Sequence, residues 1–289
     1  MEAGLADGQH EGPGLEVVND PDDSRLADYR HLNDAEARAA VGRDGNDAAG
    51  CTIVEGAVAL DVVVRSRVPL RSVLLTSGRA ERLAPLLSML GPEVSRFVAD
   101  REVLRRIVGF DLHRGVLASA HRPAPPSPDV LLEQARRVAL TEAVNDHENL
   151  GALFRNAAAF GFDAVLLDDR TADPLYRRSV RVSSGWAAVL PHTRVGRLPD
   201  GYDVLRRHGI RIVALTPGPE AIDVAEAAEA GKLDDPVAFV VGAEGPGLTA
   251  AAVSGADVAV RVPMAPGVDS LNVATSLAVV AAFAAAHNP

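Results

Sequence analysis

Val237-Ala238-Phe239-Val240-Val241-Gly242-Ala243-Glu244-Gly245-Pro246-Gly247-Leu248 decides the fold class. Its first five residues are apolar without alternation, which reads as a strand buried on both faces, as in a parallel sheet covered by helices on two sides. Three glycines around Glu244 then make a loop at the carboxyl end of that strand, where ligands bind in open α/β sheets. Glycine lets a backbone come close to a ligand with no Cβ in the way. No Gly-Lys-Ser/Thr follows, so this is not a phosphate-cradling loop, and it does not open a dinucleotide fingerprint. A tight structural turn is the plainer alternative; the glycine density directly after a buried strand favours a site.

Outward from this loop the pattern repeats. Apolar strands are predicted at 137–141, 164–167, 210–215 and 258–262, with helices at 150–160, closed by Gly161, and at 270–286. Two further loops interrupt the pattern at strand ends. Asn145-Asp146-His147-Glu148-Asn149-Leu150-Gly151 precedes a helix on which Gly151 and Arg155 share a face, and Asn149 is a candidate N-cap. Taken alone, this is a capped helix with a surface arginine; the functional alternative gives Arg155 a phosphate or a reacting hydroxyl. The other loop is Val262-Pro263-Met264-Ala265-Pro266-Gly267-Val268-Asp269-Ser270-Leu271-Asn272-Val273. Ser270 is a candidate cap for the last helix, whereas Asn272 at the start of an apolar helix calls for a specific partner, because Asn prefers caps and turns.

Toward the N-terminus, residues 1–22 are acidic, rich in Gly and Pro, and read as a disordered tail. A short, mostly polar helix is possible over 28–43. A small α/β unit follows: helix 57–66, strand 72–76, helix 80–89, strand 96–98, a helix capped by Asp100 through 107, and strand 115–120. Pro123, Pro125, Pro126 and Pro128 form a stiff linker, with the boundary near 125. The expected organisation is a tail at 1–22, a first domain at 23–122, a linker at 123–136 and a second domain at 137–289.

The net charge of −10 argues against a nucleic-acid partner until its distribution is considered. Residues 1–50 hold twelve acids and four arginines, whereas 51–289 hold 27 acids against 25 bases. The globular part is therefore close to neutral and has room for a basic face. Arg177, Arg178 and Arg181, or Arg101, Arg105 and Arg106, are candidates, with an ordinary solvated face as the alternative. Cys51 is the only cysteine, which rules out an internal disulfide and a Cys-rich metal site. There is no signal-peptide pattern, and the apolar run at 273–286 is short for a membrane span. A soluble cytoplasmic protein with no membrane partner is expected.

Three segments together, Asn149-x-Gly151-x-x-x-Arg155, Gly242-x-Glu244-Gly245-x-Gly247 and Pro263-Met264…Ser270-Leu271-Asn272-Val273, resemble the ordered motifs of the SpoU (TrmH-like) RNA ribose 2′-O-methyltransferases of the SPOUT superfamily. Each motif is weak alone; their order, spacing and strand-end context make the set specific over roughly 137–289. Residues 51–120, anchored by Val54-Glu55-Gly56 and Gly115-Val116-Leu117-Ala118, are similar to the L30e-like substrate-binding domain of many relatives. The resemblance implies an α/β fold: a C-terminal SPOUT domain with a parallel sheet and a trefoil knot, preceded by a small L30e-like domain. It implies S-adenosylmethionine as cofactor, held by Leu215, Thr216, Gly242, Val262, Met264 and Leu271. It also implies that Arg155 orients or deprotonates the ribose hydroxyl, that Glu244, Ser270 and Asn272 build the pocket, and that Asn149 orders the Arg155 loop. No metal is required. The implied partners are RNA, ribosomal before transfer RNA, and a second copy of the chain in a homodimer. Base methylation and a catalytically silent RNA-binding or assembly factor are the alternatives.

Overall fold

The protein is described from a computed structural model that covers residues 14–30, 32, 50–112 and 114–287. The chain divides into two compact units, Met1–Arg122 and Pro123–Pro289.

Among the described residues of the first unit, five strands form a mixed sheet in the order β1-β4-β3-β5-β2. They are β1 (Leu15–Val17), β2 (Cys51–Glu55), β3 (Leu70–Leu75), β4 (Ser95–Val98) and β5 (Val116–His121). The core packs Leu26, Tyr29, Leu74, Phe97, Leu104 and Leu117 together, and the buried Tyr29 hydroxyl hydrogen-bonds Ser72 Oγ at 2.7 Å. Two expectations change here. Residues 14–22 are not a tail: Leu15–Val17 pairs in parallel with β4, and Val18 is buried beside it. Pairing to an already ordered edge needs few apolar residues, so the acidic composition hides the strand; residues 1–13 lie outside the described residues. The helix expected at 80–89 is two pieces, Ser77–Arg82 and Ala84–Leu87, because Pro85 lacks an N–H and cannot continue the preceding turn. Of the helix considered at 28–43, residues 33–43 lie outside the described residues, and Ser24–Tyr29 is a 3-10 turn capped by Asp23.

Among the described residues of the second unit, seven strands form an all-parallel sheet. They are β6 (Arg137–Glu142), β7 (Ala164–Leu167), β8 (His192–Arg194), β9 (Arg211–Leu215), β10 (Ile222–Asp223), β11 (Val237–Gly242) and β12 (Val258–Arg261). Their order is β10-β12-β9-β11-β6-β7-β8. The chain runs from β6 outward to β8, then returns to the other side of the sheet, so the direction of strand order switches between β6 and β11. That is where a crevice opens in such sheets. Val138, Leu140, Val240 and Ile212 are fully buried in these strands. At the amino-terminal end, Arg137 donates both Nε and Nη2 to Asp235 at 3.1 Å, a paired charge in a nearly closed setting. The proline-rich stretch is not merely a linker. Pro128–Leu132 is helical, with Pro128 at a first-turn position that has no N–H to lose, and Leu132 is buried. No helix among the described residues is long and apolar enough to cross a membrane.

Candidate active site

Three loops meet at the carboxyl ends of β9, β11 and β12 and line a pocket of 510 Å³. Its apolar lining includes Leu215, Val260, Val262, Leu271 and Val280, and its polar lining includes Thr216, Glu244, Ser270, Asn272 and Ser276. Of the eleven residues singled out from the sequence, nine line this one pocket: Leu215, Thr216, Gly242, Glu244, Val262, Met264, Ser270, Leu271 and Asn272.

The glycine loop closes on itself. Gly247 N donates to Ala243 O at 2.9 Å, and Gly245 and Gly247 adopt φ of +87° and +68°. A Cβ on Gly242 would overlap the backbone of Gly247 and Leu248. Glycine at 242 is thus required by the loop's own return path, before any ligand is considered.

Asn149 lines no part of the pocket but is tied to it. Asn272 Nδ2 donates to Asn149 Oδ1 at 2.6 Å. The expected capping roles shift. Helix α6 (His147–Ala159, counting the α-helices among the described residues) is capped by Asp146, whose Oδ1 accepts from the amides of Glu148 and Asn149 at 2.8 and 2.9 Å. Asn149 lies inside the first turn, so its side chain is free to reach across. Ser270 does not cap the last helix, α11 (Val273–His287), because it lies too far upstream; Asn272 Oδ1 does, accepting from Ala274 N at 3.0 Å and Thr275 N at 3.2 Å.

Arg155 stands apart from the pocket. It is exposed on α6 and has no hydrogen bond or ion pair to the described residues, so its guanidinium is uncommitted. Gly151, one turn earlier, has a packing role: a Cβ there would sit 2.6 Å from Ser179 O on helix α7 (Arg177–Val182). Within the arginine clusters, Arg178 approaches Glu148 at 3.9 Å and Arg105 is paired with Glu102 at 2.7 Å, which reduces the free positive charge of both.

Glu244 has its pKa raised from its ordinary value, first because partial burial penalises the charged form and second because the Asp146 charge opposes it. Sequence reasoning missed Glu142 and Asp168, two buried carboxylates at the ends of β6 and β7. Each follows the apolar stretch of its strand, a position that from the sequence alone reads as solvent-facing.

Comparison with known proteins follows the same lines. The SpoU rRNA Methylase family profile matches residues 136–282. An uncharacterized tRNA/rRNA methyltransferase of Mycobacterium tuberculosis is 44% identical over 271 residues, covering 93% of this chain and 92% of that one. A 23S rRNA (guanosine(2553)-2′-O)-methyltransferase of Bacillus subtilis is 34% identical over 154 residues, covering 53% of this chain and 59% of its own. The crystal structure of an AdoMet-bound rRNA methyltransferase from Sinorhizobium meliloti superposes with a TM-score of 0.76 at 21% identity, covering 95% of this chain and 98% of that one.

Proposed function

The chain belongs to the SpoU rRNA Methylase family, and from that premise we propose that it transfers a methyl group from S-adenosylmethionine to a ribose 2′-hydroxyl of ribosomal RNA. The observation that carries this reading is the gathering of nine residues singled out from the sequence on one pocket at the carboxyl ends of β9, β11 and β12, with α6 and its free Arg155 tied to that pocket through Asn149. The Bacillus relative, a ribose 2′-O-methyltransferase of 23S rRNA, favours ribose over base and ribosomal over transfer RNA.

The pocket fits such a cofactor. Its volume lies within the range of about 300–1,000 Å³ usual for small-molecule sites, and it joins an apolar lining to the polar side chains of Thr216, Glu244, Ser270, Asn272 and Ser276. Leu215, Val262 and Leu271 would hold the adenine. When bound, the cofactor supplies an electrophilic methyl on a sulfonium. The hydroxyl must then be aligned opposite the sulfur, its proton must pass to an acceptor such as the neighbouring phosphate or water, and the negative charge developing on its oxygen must be stabilised. In our reading Arg155 orients the hydroxyl and its neighbouring phosphate and stabilises that charge, with a guanidinium fork that donates to both. Glu244, Ser270 and Asn272 hold the polar side of the pocket, and Asn149 keeps α6 in register with it.

The same reading carries a trefoil knot in the C-terminal segment, an L30e-like substrate-binding role for the first unit, and a homodimer. For the dimer, Val279 and Phe283 on α11 are partly exposed and Ala282 and Ala286 exposed, an apolar strip that a second copy would cover. The test is to map 2′-O-methyl sites across total RNA with and without the gene. Loss of a single ribose methylation in 23S or 16S rRNA is expected. Loss of a base methylation, or of none with purified protein inert toward all RNA, overturns the reading in favour of a base methyltransferase or a silent assembly factor.

A further inference from the structure

Glu142 ends β6, directly opposite Gly242 at the end of β11. Its carboxylate is buried, and it lines no part of the pocket. Oε2 accepts from the Thr249 amide at 2.8 Å, and Oε1 accepts from Thr249 Oγ1 at 2.9 Å and from Arg170 Nη2 at 3.1 Å. Thr249 is the residue at which the glycine loop ends and the helix Ala250–Gly255 begins. Its hydroxyl accepts from the Ala252 amide at 3.2 Å, so its single proton is directed at Glu142. One residue therefore fixes both ends of the loop, the start through strand pairing and the end through its side chain.

A second buried carboxylate completes the arrangement. Asp168 Oδ1 accepts from the Ala143 amide at 2.9 Å and from Thr171 Oγ1 at 2.7 Å. Ala143 needs this hold, since it carries φ of +56°, a conformation unfavourable for a residue with a Cβ. Arg170 bridges the pair, with Nε on Asp168 and Nη2 on Glu142. The turn that leads to α6 and the loop that lines the pocket are thus anchored on one ion-paired cluster.

We propose that Glu142 is a positioning residue which, through Thr249, sets the shape of loop 243–248 that the cofactor meets. The inference rests on the S-adenosylmethionine reading above. Its signature is weakened cofactor binding with the chemistry preserved.

The discriminating variant is Glu142→Gln. It keeps the volume, but whichever way the amide turns, its NH₂ faces a donor from Thr249 or Arg170 and leaves that donor without an acceptor. S-adenosylmethionine affinity by calorimetry should fall about tenfold. Amide hydrogen exchange across 243–248 should speed up, while kcat at saturating cofactor and RNA affinity change little. Thr249 is exposed, so substituting it opens no cavity in the core. Thr249→Val should show a smaller loss of the same kind, and Thr249→Ser should restore the pattern. Unchanged cofactor affinity and loop exchange in a folded Glu142→Gln protein overturn the inference, as does a fall in kcat with cofactor affinity intact. A wild-type protein that gives no binding heat with S-adenosylmethionine overturns the reading beneath it, and is told apart because it concerns the unmutated chain.

Discussion

Asn272 and Asn149 meet side chain to side chain at 2.6 Å across 123 residues of sequence. Asn272 does two things at once: its Nδ2 holds α6, and its Oδ1 caps α11. Asn272→Ala loses both and should cost about 1–2 kcal/mol, whereas Asn149→Ala loses only the pair and should cost about 0.5–1 kcal/mol. Asn272→Ser keeps a capping oxygen and should match Asn149→Ala. Urea melts measure all three. Equal losses in the two alanine variants would contradict the double role.

Arg155 is exposed and uncommitted, so its removal should leave the fold intact. Under the proposed mechanism, Arg155→Ala should slow single-turnover methyl transfer about 10²–10³-fold, in the range seen when one transition-state donor is removed. Cofactor affinity should stay unchanged, and Arg155→Lys should recover little, since an ammonium cannot reproduce the planar fork. A near-normal rate in Arg155→Ala would return it to an ordinary surface side chain.

Glu244 predicts a pH dependence. Folding raises its pKa, so the folded chain binds this proton more tightly than the unfolded chain does. Its ionised form is therefore a cost to folding above the raised pKa. The cost fades as pH falls through that value to the ordinary carboxylate range. Glu244→Gln should melt higher than wild type at neutral and alkaline pH and lose the advantage in acid. Asp146→Asn, which retains a capping oxygen, should lower the Glu244 pKa followed by NMR. A Tm difference between Glu244→Gln and wild type that widens in acid would reverse the sign and refute the argument.

Two glycines predict opposite signatures. Gly151 faces Ser179 O across a helix contact, so Gly151→Ala should destabilise the domain by about 1–3 kcal/mol through overpacking. Gly242 faces its own loop, so Gly242→Ala should open residues 243–248 and weaken cofactor binding more than it lowers Tm. Thermal melts beside calorimetry separate the two; a Gly242→Ala protein with full cofactor affinity would deny that the loop's closure matters.

The readability of the sequence followed burial. Strands β7 and β11 were legible because a strand covered on both faces is apolar throughout, and β6 because Val138-Ala139-Leu140 forms its apolar centre. The short edge strands Leu15–Val17, His192–Arg194 and Ile222–Asp223 were not, since they borrow order from a neighbour and carry little pattern of their own. The pocket loops announced themselves by glycine at strand ends. The helix cap did not, because Asn145, Asp146 and Asn149 are all competent and only the backbone path chooses Asp146. Glu142 was hidden for a different reason. An acid after a strand reads as solvent-facing, and the donors that justify its burial lie 28 and 107 residues away.

The join between Asn149 and Asn272 has a consequence for biosynthesis. As the chain leaves the ribosome, β6 and α6 emerge with Asn149 already in hand, well before the last helix that completes the pocket. Pairings so distant in sequence are slow to close. A nascent chain halted before residue 272 holds the arginine helix without the side chain that pairs with Asn149. The wall that Val273, Ser276 and Val280 give the pocket is then the last part to form, so cofactor binding would arrive only with the final turns of helix.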